Sequence, residues 1–161
     1  MQWLRQKQSE DPADFWHGVE TRRGGPVTFS TFATLAGSAG GAGGGRADLA
    51  GLLYVVNGTA WFEDFEKDNW LYRVIGGGKN YQKTEVSFSL AEVTSVRFVS
   101  KMRASQRMSQ AATAAALPES SRLFQFFSTP LVQVALKNGT MLYFDMLERR
   151  KFASMAVPAG S

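Results

Sequence analysis

Few side chains in this sequence are equipped for covalent or acid–base chemistry. The chain has no cysteine and a single histidine. Thiol nucleophiles, disulfides and cysteine-ligated zinc or iron–sulfur sites are excluded, as is any site built on two histidines. His17 follows Trp16 in a segment with helical signals. A catalytic role would need a nucleophile and an orienting acid around it, and no motif supplies them. A partly exposed helix residue is expected. Glu63, Asp64, Glu66 and Asp68 form an acidic cluster, the residue type that holds divalent cations or works in acid–base pairs. The cluster lacks the glycine and closing glutamate of a calcium loop, so an exposed hairpin tip is expected. The glycine-rich run at 37–45 is followed by no Gly-Lys-Ser/Thr and lacks dinucleotide-binding spacing. It reads as a flexible loop. These inventories point to a non-enzymatic binding domain without cofactor or metal.

Charge is the stronger signal. Residues 1–69 carry nine acids and six bases, whereas residues 70–161 carry twelve bases and five acids. Between 73 and 107 seven bases face two acids, Glu85 and Glu92. A basic face on a small domain favours an anionic partner. Trp70, Tyr72 and Tyr81 could stack on bases. With no RNP-like or helix-turn-helix signature, nucleic acid is the disfavoured partner. No run of ~18 apolar residues is present, and the N-terminus has no secretory core. A cytoplasmic protein is expected, with peripheral attachment to the inner face of a membrane as one use of the basic face.

The elements that must position these residues are mostly strands. Asp11-Pro12-Ala13-Asp14 opens a helix with Phe15, Trp16 and Val19 on one stripe, ending before Gly24-Gly25-Pro26. Val27 to Leu35 alternates as a strand, interrupted at Thr31-Phe32. Asn57-Gly58 and Asn138-Gly139 each join two β-rich runs, the strongest short-range hairpin signal. Asn69 to Ile75, Tyr81 to Leu90, Val93 to Val99 and Arg122 to Phe127 read as further strands, with a bulge near Thr94. The Ala/Ser-rich segment 102–121 is expected to be a loop or to hold a short helix at 108–116. Asp145-Met146-Leu147-Glu148 has capping-box form and would start a final three-turn helix with Phe152, Met155 and Ala156 on one face. The expected fold is mainly β: a single antiparallel barrel or sandwich of about seven strands. A C-terminal helix caps it, and residues 1–26 form an extra N-terminal helical extension.

Residues 51–101 carry a resemblance. Gly51-Leu52-Leu53-Tyr54-Val55-Val56-Asn57 followed by Trp61-Phe62, and later Phe88-Ser89-Leu90-Ala91-Glu92-Val93-Thr94-Ser95-Val96, resemble the pleckstrin-homology superfold. They are most similar to its GRAM-like and bacterial PH-like branch. The hairpin at Lys137-Asn138-Gly139-Thr140 and the helix through Ala156 extend the likeness, giving a domain over residues 27–157. The resemblance implies an interaction module that binds a protein partner or an anionic lipid surface. Phosphoinositide-binding relatives place several Lys and Arg in the first strand–strand loop, which here is the glycine run with only Arg46 at its end. Anionic groups are therefore expected at Arg73, Lys79, Lys83, Lys101, Arg103 and Arg107. Lys79 adjoins the Gly76–Gly78 turn, whose backbone N–H groups suit a phosphate. Arg103 and Arg107, spaced Arg-x-x-x-Arg, also resemble one motif of the cyclic-dinucleotide-binding PilZ barrel, although its downstream strand motif is missing. A small-ligand sensor using these two arginines is the alternative reading.

Overall fold

The computed structural model describes residues 12–40, 44–64, 84–109 and 129–157. The proline at the first helical position starts α1 (Pro12–Arg23), and Gly24, in the left-handed region, stops it. Seven antiparallel strands follow: β1 (Val27–Ala39), β2 (Gly45–Val56), β3 (Thr59–Asp64), β4 (Glu85–Ser89), β5 (Val93–Val99), β6 (Leu131–Leu136) and β7 (Met141–Met146). Helix α2 (Lys101–Ser109) sits between β5 and β6, and α3 (Arg149–Ala156) closes the described chain.

The strands form one sheet in the order β4-β3-β2-β1-β7-β6-β5. Its two edge strands, β4 and β5, are consecutive in sequence, joined through the short 3-10 turn Leu90–Glu92. The sheet therefore curls. The Ser89 hydroxyl accepts from the Ala91 N–H and so caps that turn. The two Asn-Gly hairpins differ in kind. Asn57 and Gly58 both have positive φ, 50° and 71°, the two-residue form that matches strand twist. At the second, only Gly139 is left-handed. Leu136 and Thr140 close a three-residue loop there, and the Asn138 side chain accepts from the Thr140 N–H.

The concave face holds the main core. Phe29, Leu35, Leu53, Phe62, Phe88, Val132, Val134 and Phe144 interdigitate there. Phe152 and Ala156, one turn apart on α3, close its open end, with Phe152 against Phe29 at 5.7 Å between ring centroids. The convex face is covered twice. Val19 of α1 packs on Tyr54 and Val56, with Trp16 and Trp61 at the margin. Ala104 and Met108 of α2 pack on Val99, Leu131, Met141 and Tyr143.

Several expectations change. The acidic cluster is not an exposed tip at its described end: Glu63 and Asp64 are buried in β3, while Glu66 and Asp68 lie outside the described residues. The first strand is not interrupted at Thr31, which takes an inward, buried position. Its hydroxyl donates to the Phe32 carbonyl and accepts from the Glu148 N–H. The glycine run is shortened as a loop at both ends, because β1 continues to Ala39 and β2 begins at Gly45, while residues 41–43 lie outside the described residues. A Cβ on Gly37 would collide with the Gly45 carbonyl and the Met108 sulfur, so a side chain is excluded where α2 sits. The internal helix starts at Lys101, earlier than the expected 108–116, because Ser100 caps it: its carbonyl accepts from Ala104 N–H and its hydroxyl from Arg103 N–H. Asp145 does not cap the last helix. It belongs to β7, and α3 starts after Glu148 without a side-chain cap. The expected strands at 69–75 and 122–127 lie outside the described residues.

Candidate functional site

Helix α2 gathers half of the expected basic residues. Its sequence, Lys-Met-Arg-Ala-Ser-Gln-Arg-Met-Ser, holds three bases and no acid. Packing of Ala104 and Met108 against the sheet fixes its orientation, leaving Lys101 and Arg103 exposed and Arg107 half-buried. Lys101 Nζ lies 2.6 Å from Asp145 Oδ2 on β7. Arg46, on the second strand, donates to the Ser105 hydroxyl and adds a fourth cation to this flank. Burial raises the pKa of the Tyr143 phenol beneath the helix, and the charge of nearby Arg107 opposes that rise. Arg73, Lys79 and Lys83 lie outside the described residues.

A second constellation was not foreseen from the sequence. Arg22 and Arg23 at the end of α1 both donate to Glu63 Oε1 at 2.9 Å. Arg23 also reaches Glu85 Oε2 at 2.6 Å and, through Nε, the Tyr54 hydroxyl at 3.1 Å. Tyr54 in turn donates a short hydrogen bond to Glu63. The Arg23 guanidinium stacks 3.6 Å above the Trp61 ring. Burial works against the Arg23 charge, but the hydrogen bonds it donates to Glu85, Tyr54 and Glu63 outweigh it and raise its pKa. Burial, with help from Glu63, pushes the Tyr54 phenol up as well. Each of these side chains contacts another member of the cluster, so its chemistry is that of a clamp holding α1 to the sheet. The only local hint was two arginines at a helix end and an acid after Trp61. Nothing in sequence spacing joins segments some forty residues apart.

His17 is exposed on α1. Among the described residues no group of three or more His, Cys, Asp or Glu is placed to hold a metal ion, and no helix is long and apolar enough to cross a membrane. Set against known protein families, characterised proteins and solved structures, the chain matches none.

Proposed function

We propose that this chain is a non-catalytic, PH-like interaction module that binds an anionic membrane surface through the basic flank built on α2. The carrying observation is the convergence of Lys101, Arg103 and Arg107, on a helix with no acid of its own, with Arg46 of β2 on one side of the sheet. A helix packed through Ala104 and Met108 holds its cations in fixed places, which suits a charged surface. The PH-like assignment is supported by the strand order, with four strands curling into three and a C-terminal helix across the open end.

Each cation near an anionic bilayer contributes about 1 kcal/mol. Replacing Arg103 and Arg107 by Gln is therefore expected to weaken co-sedimentation with phosphatidylserine-containing vesicles about thirtyfold at low salt. Wild-type binding should weaken at physiological salt and vanish on phosphatidylcholine alone. Equal binding to both vesicle types, or none to either, refutes the proposal. Arg103 and Arg107 lie one helical turn apart, which also fits a small anionic ligand such as a cyclic dinucleotide. Calorimetric heat that disappears in Arg103→Ala would favour that second reading.

A further inference from the structure

Residues paired directly across neighbouring strands share a face of the sheet. Arg97 pairs with Gln133, Gln133 with Tyr143, Tyr143 with Gly37, and Gly37 with Arg46. A polar row therefore crosses the convex face from β5 to β2, broken by a glycine. Helix α2 lies on this row. Ala104 and Met108 pack with Tyr143, and the Met108 sulfur occupies the space that a Cβ on Gly37 would need. Arg46, at the end of the row, donates to the Ser105 hydroxyl.

This seat is poorly made for permanent burial. Gln133 is 2% exposed and Tyr143 is fully buried. Gln133 Nε2 donates to the Met141 sulfur at 2.8 Å, and the Tyr143 hydroxyl reaches the same sulfur at 3.8 Å. A thioether is a weak acceptor. Gln133 Oε1 is buried without a hydrogen-bond partner among the described residues. An unpaired buried acceptor disfavours the state that buries it by about tenfold. The forces holding α2 down are modest. Ala104 and Met108 are the buried members of its nine residues. The Lys101–Asp145 pair joins partly exposed side chains, so water screens it. A helix this short has little stability of its own. By contrast β6 and β7 beneath it are buried at nearly every position.

We propose that α2 is a displaceable lid, lifting about Ser100 while the sheet stays folded, so that water supplies the partner that Gln133 lacks under the closed helix. Ser100 is the pivot because it joins α2 directly to Val99, the fully buried end of β5. Lifting carries Arg103 and Arg107 away from Arg46 and so takes the basic flank apart. That consequence rests on the membrane reading above, whereas the lifting itself does not.

Hydrogen exchange on the full chain, read amide by amide by NMR, tests the lid. In the wild type the Ser105–Met108 amides should exchange about a hundredfold faster than the paired amides of β6 and β7. Gln133→Leu, which removes the unpaired acceptor, should slow exchange in α2 about tenfold. Fraying of a helix end would not respond to that change. Lys101→Ala, at an exposed position, should speed α2 by up to about fivefold. Protection of α2 equal to that of β6 and β7 would overturn the proposal without any variant being needed. So would α2 rates that Gln133→Leu leaves unchanged. Phosphatidylserine vesicles should slow the same amides by holding α2 closed beside Arg46. Unchanged rates on vesicles that the protein binds would overturn the link to the basic flank, and the exchange without vesicles decides the lid separately.

Discussion

The clamp between α1 and the sheet makes a quantitative prediction. Arg22 and Arg23 lie at the same distance, 2.9 Å, from the same oxygen of Glu63, yet they should differ widely in worth. The Arg22 side chain is 53% exposed, whereas Arg23 is 12% exposed and Glu63 is 8% exposed. An exposed ion pair contributes about 0–1 kcal/mol, because water screens it and ordering the side chain costs entropy. Removing one partner of a buried pair costs about 3–5 kcal/mol when the other charge is left without compensation, and the low end applies here because Arg22 and the Tyr54 hydroxyl still hold Glu63. Arg23→Met, which keeps an apolar stem over Trp61, should therefore cost about 3 kcal/mol, and Arg22→Met less than about 1. With a urea dependence of about 2 kcal/mol per molar for a chain of this size, the midpoint falls by about 1.5 M for Arg23→Met. For Arg22→Met it falls by under about 0.5 M. Unfolding followed by tryptophan fluorescence reads both. The double variant Arg23→Met/Glu63→Gln should be more stable than the sum of its single changes predicts, because removing both members leaves no orphaned charge. Equal midpoints for the two arginine variants, or an Arg23→Met loss below about 1 kcal/mol, would refute the reasoning that burial sets the value of this pair.

The same cluster sets an alkaline limit. The Tyr54 pKa is raised above its ordinary value of 10.0, chiefly by burial, so the folded state holds the phenolic proton more tightly than the unfolded chain. That stabilisation is complete below about pH 10 and is lost as pH climbs from there through the raised folded value. Denaturation curves across this range should show stability falling, with a shallower fall in Tyr54→Phe; identical slopes would count against it. Gly37→Ala should destabilise by about 2–3 kcal/mol, the upper part of the range for overpacking, because the added methyl meets a backbone carbonyl as well as Met108. Thermal unfolding would read this as a loss of about 5–10 °C, and an unchanged midpoint would show that α2 is not seated on this glycine.

Much of the strand plan could be read locally. Asn57-Gly58 and Asn138-Gly139 announce hairpins because turn geometry is a property of two or three residues. The alternation of Val86, Phe88 and Leu90 puts them toward the core, and the irregularity near Thr94 is a register shift between Val93 and Ser95. The helix face of Phe152, Met155 and Ala156 follows from 3.6-residue periodicity and meets the core as expected. Local rules failed where a tertiary partner competed. Asp145 has the type and spacing of a cap, but pairing of β7 with β1 claims its backbone and Lys101 claims its carboxylate.

The sequence by itself determined that this is a mainly β chain with a helix at each end of the sheet-forming region and an excess of positive charge in its second half. These follow from composition and short-range pattern, which need no partner to act. Only the tertiary structure decided that Glu63 is buried, that Arg22 and Arg23 meet it, and that Lys101, Arg103 and Arg107 share a flank with Arg46. It also decided that both faces of β6, β7 and the C-terminal half of β2 are covered, the reason their buried runs are continuous rather than alternating. Each of these depends on which segments curl together in the sheet, and that is fixed by the summed burial of the whole core rather than by any stretch of neighbouring residues.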